Sequence, residues 1–252
     1  MPVRVDADGD VLVVVIDRPE ARNAVDRAVA EGIAAAMDRL DADQAVRAGI
    51  ITGAGGVFCS GMDLKAFIAG ELPYAGDRGF AGLAERPPRK PLIAAVEGYA
   101  MAGGLELALA CDLVVAARDA RLGLPEVKRS LVAAAGGLIH LARRIPYHVA
   151  MELALTGDPI TAERAYALGL VSRLAAPGEA LAVARELATA IARNGPLAVE
   201  ASKRIVRGAR DWDEAEAWRR QQEIAAPVYA SEDAREGATA FAEKRPPVWR
   251  GR

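Results

Sequence analysis

One carboxylate stands in an otherwise apolar stretch. Residues 99–112 read YAMAGGLELALACD, small or apolar nearly throughout, with Glu106 in the middle. A buried carboxylate is costly unless it is satisfied or protonated, so a Glu in this setting is either a structural ion-pair partner or a reactive acid. Gly103 and Gly104 precede it at the start of a predicted helix. The first-turn amides of a helix lack intrahelical partners and carry the positive end of its dipole, and glycine lets a ligand approach them. Such a terminus can hold a developing anion, with Glu106 one turn in facing the same place.

A second glycine-rich loop, FCSGMD at 58–63, follows the apolar run Gly49–Thr52. Gly61 permits a tight turn that can aim the Met62 amide into a cleft; taken alone, the loop also reads as an ordinary strand-to-helix turn. Together the Met62 and Gly103 amides would make an oxyanion hole. A third piece, LGLPEVK at 122–128, holds Glu126 after Pro125. On its own Glu126 reads as a solvated residue, and it becomes a candidate second acid only in combination with Glu106.

These loops need a scaffold. VLVVVID at 11–17, RAGIITG at 47–53, LIAAVEG at 92–98 and DLVVAA at 112–117 read as buried strands. Asp26 is placed to cap a helix running to about Leu40, and GGLELALAC reads as another helix. The segment to Glu85 looks irregular or weakly helical. Beyond Glu126 the pattern turns helical, punctuated by Gly157, Gly169 and Pro177-Gly178, with stretches near Asp213–Ala225 and Ser231–Phe241. The reading is an α/β fold with a helical tail.

The 252 residues suffice for one large domain with a small appended unit. With 52% hydrophobic and 26% charged residues the chain is neither disordered nor unusually polar. A net charge of −2 gives no basic surface for nucleic acid. Cys59 and Cys111 both lie in apolar surroundings and read as buried thiols. The first ten residues show no apolar signal region, and the longest charge-free run, Ala48–Met62, is broken by glycines, so no membrane span and a cytoplasmic location are expected.

Other chemistries fail on spacing. Gly53 and Gly55 begin a dinucleotide loop, but its last glycine position is Phe58. Neither a G-x-S-x-G elbow nor a P-loop is present. His140 and His148 carry no ligand pattern, so no metal site is expected.

FCSGMDLK, GYAMAGGLELALACD and LGLPEVK together resemble the enoyl-CoA hydratase/isomerase (crotonase) superfamily. RPEARNAVD resembles its N-terminal acyl-CoA loop, ELALTGDPITAERAYALGLVSRL its downstream helices and SEDAREGATAFAEKRPPVWRGR its C-terminal segment, all in the family's order. The resemblance implies a crotonase-like ββα spiral over residues 1–190 and a C-terminal helical trimerisation region over 191–252, assembled as a homotrimer or dimer of trimers. It implies that Met62 and Gly103 form the oxyanion hole for a thioester carbonyl and that Glu106 and Glu126 are the catalytic acids. Ala21, Asp63, Leu64 and Lys65 would contact the acyl-CoA, with Phe241 and Lys244 covering its nucleotide part, often across a subunit boundary. Coenzyme A enters as part of the substrate, with no separate cofactor.

In that family the presence of both glutamates suits a hydratase: Glu106 would activate water towards C3 and Glu126 would protonate C2. A Δ3,Δ2-enoyl-CoA isomerase would need Glu126 alone. A non-catalytic acyl-CoA-binding or RNA-binding relative is the reading from another class, and the acidic balance speaks against RNA. The run AAAGG at 133–137 departs from the Pro-Gly-containing loop of many hydratases, with Ala134 in place of glycine. With the ending FAEKRPPVWRGR, it is closer to the branch that includes carnitinyl-CoA dehydratase, implying a branched, polar or bulky acyl group.

Overall fold

Val11–Ile16 is buried at every position and lies inside the main sheet, as an uninterrupted apolar run requires. A computed structural model describes all residues from Met1 to Arg252. Its strands are β1 (Val3–Asp8), β2 (Val11–Ile16), β3 (Ala48–Gly53), β4 (Leu92–Val96), β5 (Tyr99–Met101), β6 (Leu113–Ala117), β7 (Arg121–Gly123), β8 (Ile160–Thr161) and β9 (Arg173–Ala175). The main sheet has the order β1-β2-β3-β4-β6-β9, parallel except for the β1–β2 hairpin. β5, β7 and β8 form a second, smaller sheet.

The helices are α1 (Arg27–Ala42), α2 (Leu64–Ile68), α3 (Gly103–Ala110), α4 (Gly137–Arg144), α5 (Tyr147–Thr156), α6 (Ala162–Ala167), α7 (Ala180–Ala192), α8 (Pro196–Gly208), α9 (Glu214–Tyr229) and α10 (Glu232–Glu243). Alternation along the strands divides the core between two faces of the main sheet. Leu12, Val14 and Ile16 join the large core with Val29, Ile33 and Met37 of α1 and Leu105 and Leu107 of α3. Val11, Val13 and Val15 pack in a second cluster with Ala180, Ala184 and Ala188 of α7. Those alanines recur every four residues, giving α7 a smooth stripe against the sheet. Asp26 caps α1, its Oδ1 accepting from the Val29 amide at 2.9 Å.

After α7 the chain continues through α8–α10. Asp233, buried on α10, accepts from the Arg250 and Gly251 amides at 2.7 and 2.9 Å, and Trp249 Nε1 donates to the Arg193 carbonyl at 2.8 Å. The C-terminal residues are thereby folded back on the helical region.

Several elements differ from the sequence reading. The predominantly helical second half supplies β8 and β9, and β9 is the far edge of the main sheet. These strands are only two or three residues long, too short for a periodic signal. α9 extends to Tyr229 through Pro227, beyond the predicted end near Ala225. β1 lies in a stretch to which the sequence reading assigns no element; Gly9 and Asp10, with Gly9 at φ 60°, make its two-residue turn into β2.

Candidate active site

Every residue of α3 is buried, including Glu106 at 4% exposure. A helix apolar on all sides sits inside the protein, so its one carboxylate has no bulk water to solvate it. The turn before α4 compensates. Glu106 Oε1 accepts from the Ala135 amide at 2.8 Å and the Gly137 amide at 3.0 Å. A Cβ at Gly137 would stand 2.9 Å from Glu106 Cγ and 3.1 Å from its Oε1, so only glycine lets the backbone come this close. Burial nevertheless raises the Glu106 pKa to about 7; the two amides oppose the rise, and the charge of Glu126 adds to it.

Glu126 projects from a 3-10 turn at Pro125–Arg129, with Pro125 at its first position. Its Oε2 is buried without a hydrogen-bond partner. Burial raises its pKa as well, against the pull of its own amide and of Arg129. Both acids line one cleft of about 1280 Å³. The two are thus unequal: Glu106 is gripped by two amides, whereas Glu126 has a bare buried oxygen.

The Met62 and Gly103 amides come from two loops in close contact. Cys59 joins them: its amide donates to the Tyr99 carbonyl at 3.2 Å and its carbonyl accepts from the Met101 amide at 3.0 Å. Its thiol, pushed up to about 12 by burial, accepts from the Gly61 amide at 3.3 Å. Gly61 has φ 96°, and a Cβ there would lie 2.9 Å from the Gly103 nitrogen. Ala102, at φ 53° and ψ −130°, makes the turn into α3, an energetically strained conformation for a residue with a side chain. Neither the Met62 nor the Gly103 amide is engaged by a turn, cap or side-chain acceptor. Met62 and Gly103 line the same cleft as the two raised carboxyls, and amide donors in such a cleft can stabilise an oxyanion while protons move beside it.

The other sequence-predicted residues divide into two groups. Ala21, Asp63, Leu64 and Lys65 line the same cleft. Asp63 has structural duties there: its Oδ1 caps α2 through the Lys65 and Ala66 amides at 3.0 and 3.3 Å, and its Oδ2 accepts from Arg18 at 3.1 Å. Phe241 and Lys244 do not reach the cleft within one chain; Phe241 is 87% exposed.

Sequence reasoning missed several supports. Arg18 pairs with Asp26 at 2.9 Å as well as Asp63, joining the N-terminal loop to the Met62 loop. Asn23 is fully buried, donating to the Ala54 and Val57 carbonyls and accepting from the Arg18 amide. The available signal was RPEARNAVD itself, which carries Arg18, Asn23 and Asp26 within nine residues. Ala135 and Gly137 lay inside AAAGG, where the reading focused on Ala134, which lines the cleft.

Residues 6–252 match the family described as enoyl-CoA hydratase/isomerase. Among curated relatives, the chain is 44% identical over 257 residues to enoyl-CoA hydratase EchA19 of Mycobacterium tuberculosis, covering 98% of this chain and 96% of the relative. It is 41% identical over 252 residues to a carnitinyl-CoA dehydratase of Proteus mirabilis, covering 97% and 96%. The crystal structure of enoyl-CoA hydratase EchA1 from Mycobacterium marinum superposes with a TM-score of 0.98 at 58% identity, covering 100% of this chain and 99% of that one.

Proposed function

Because the chain belongs to the enoyl-CoA hydratase/isomerase family, we propose that it adds water reversibly across the C2=C3 bond of a trans-2-enoyl-CoA, giving a 3-hydroxyacyl-CoA. The observation that carries this reading is the pair of raised carboxyls in one cleft beside two free amides. Coenzyme A is part of the substrate, and the reaction uses no other cofactor.

In this reading the thioester oxygen accepts from the Met62 and Gly103 amides. Each such donor contributes about 3 kcal/mol to the negative charge that develops on that oxygen. The two carboxyls share one proton and titrate as a pair. The two amides favour the charged form of Glu106, although burial still holds its pKa at about 7, and burial raises Glu126 as well. In the proposed assignment Glu106, in its charged form, takes a proton from water as the water oxygen bonds to C3. The π electrons move onto the thioester as an enolate, and Glu126 gives its proton to C2. Passing the proton from Glu106 to Glu126 resets the pair, and the reverse sequence dehydrates a 3-hydroxyacyl-CoA.

A second reading keeps the chemistry and changes the acyl group. The 41% identity to the Proteus dehydratase and the Ala134 methyl in the cleft favour a polar or branched 3-hydroxyacyl-CoA dehydrated in the physiological direction.

A panel of enoyl-CoA thioesters, followed by the fading absorbance of the conjugated double bond, tests the proposal. Formation of 3-hydroxyacyl-CoA is expected. A relocated double bond would make the enzyme an isomerase, and tight binding without turnover would make it an acyl-CoA-binding module. The exposure of Phe241 and Lys244 supports assembly as a trimer or dimer of trimers, in which they would cover a neighbour's nucleotide. Light scattering reads that mass directly.

A further inference from the structure

Of all the charged side chains, Arg78 is the least exposed, at 2%, and the proposed reaction does not use it. Its Nε and Nη2 donate to Asp38 Oδ1 on α1 at 3.0 and 2.6 Å, and its Nη1 donates to the Arg86 carbonyl at 2.6 Å. A guanidinium taken out of water is tolerated where its planar fork is satisfied in this way. Arg78 does not line the cleft.

Its neighbours do. Phe80, two residues on, is buried, and its ring lies so near Gly103 that a Cβ there would stand 2.4 Å from the ring edge. Tyr74 meets that ring edge-on, with centroids 6.1 Å apart and planes at 79°. Both line the cleft beside the free Gly103 amide. The backbone that presents them is strained: Ala81 has φ 53°, a left-handed value that alanine holds only when its surroundings enforce it. Apart from the bonds of Arg78 and an ion pair from Asp77 to Arg86 at 2.7 Å, itself 3.7 Å from Asp38, the hydrogen bonds of residues 72–85 close within the segment. The Arg78–Asp38 fork is thus the hydrogen-bonded tie between this wall and α1. Leu83 and Gly82 anchor the other end by packing, Gly82 against the Ala30 carbonyl.

We propose that Arg78, held by Asp38, is a positioning residue that fixes Phe80 and Tyr74 as the wall against the acyl chain, and so sets which acyl chains the cleft accepts. This rests on the hydratase reading. An acyl chain that meets Phe80 near the thioester is selected by the shape of that wall, and a freed wall discriminates less.

Arg78→Met and Asp38→Ala, separately, test this on a series of trans-2-enoyl-CoA thioesters of rising length and branching. Expected is a change of about ten-fold in the ratio of kcat/KM between the best and worst thioesters. In a Phe80→Ala background, Arg78→Met should change that ratio no further, because both act through the same wall. Amides of residues 72–85 should exchange faster with solvent in both single variants. An equal loss for every thioester, or an unchanged ratio, would reduce the fork to a stability element and overturn the proposal. If Arg78→Met does not fold, Asp38→Ala decides, since the Asp38 side chain is 64% exposed. If the wild-type protein hydrates no thioester, the hydratase reading fails on its own. Equilibrium binding of saturated acyl-CoA thioesters of the same lengths to wild type and Asp38→Ala then judges the wall, with unchanged relative affinities counting against it.

Discussion

The surroundings of Glu106 and of Glu126 solve opposite problems. Glu106 lies on a fully buried helix, and two backbone amides of a neighbouring turn approach one of its oxygens. Glu126 lies on a partly exposed 3-10 turn, and its buried oxygen is left with nothing. The difference teaches that burial alone does not assign the roles of two acids. Burial lifts both; the two amides that grip Glu106 oppose its rise without cancelling it, and Glu126 is opposed only by its own amide and by Arg129.

The comparison breaks most directly at the acids themselves. Glu106→Gln and Glu126→Gln should each lower kcat by about 10²–10⁴-fold, the range for a lost general acid or base. The double variant should be little worse than either single one, because the two act as a unit. Near-normal turnover in Glu106→Gln would leave Glu126 working alone and return the isomerase reading.

Gly137→Ala sharpens the comparison from the side of the grip. The added methyl meets Glu106 Cγ and Oε1 at 2.9 and 3.1 Å, so kcat should fall by about ten-fold with little change in KM. Ala134→Gly, in the same loop but without a bond to Glu106, should leave kcat far less affected.

Glu106 also predicts a pH signature in stability. Its folded pKa, about 7, stands above its ordinary 4.5, so between those values the folded state binds more protons than the unfolded one. Stability contributed by the protonated group is therefore complete below pH 4.5 and declines as pH rises through about 7. The decline is up to about 3 kcal/mol. Urea unfolding at pH 5 and pH 8 should show this decline in wild type and a shallower one in Glu106→Gln.

The smallest effect belongs to the residue after Met62. Asp63→Ala removes the α2 cap and the Arg18 ion pair, and should lower stability by about 1 kcal/mol. KM should rise a few-fold with a smaller change in kcat, because Asp63 holds the loop and takes no part in proton transfer.

The parts of this design that a sequence exposes are those with unusual local chemistry. Glu106 was visible because a charge in LELALA violates the pattern around it, and Gly103 and Gly61 because glycine marks close backbone approach. The buried strands of the main sheet were visible as short charge-free runs of mostly apolar residues. The grip on Glu106 was not, because backbone amides carry no residue identity: Ala135 contributes an N–H that any residue but proline would supply. Arg78 was hidden for a different reason. An arginine in an irregular segment reads as a surface residue, and only the three-dimensional meeting with Asp38, 40 residues away, takes it out of water. β8 and β9 were hidden by brevity, since two or three residues have no period to detect.

The single free oxygen of Glu106 has a consequence for the handedness of the product. One of its oxygens is pinned to the backbone, so the proposed nucleophile can be presented from one direction only. A thioester anchored by the two proposed donors would not roll over to offer its opposite side. The alcohol carbon should therefore form as one enantiomer, dictated by rigid main chain and insensitive to the bulk of the acyl tail.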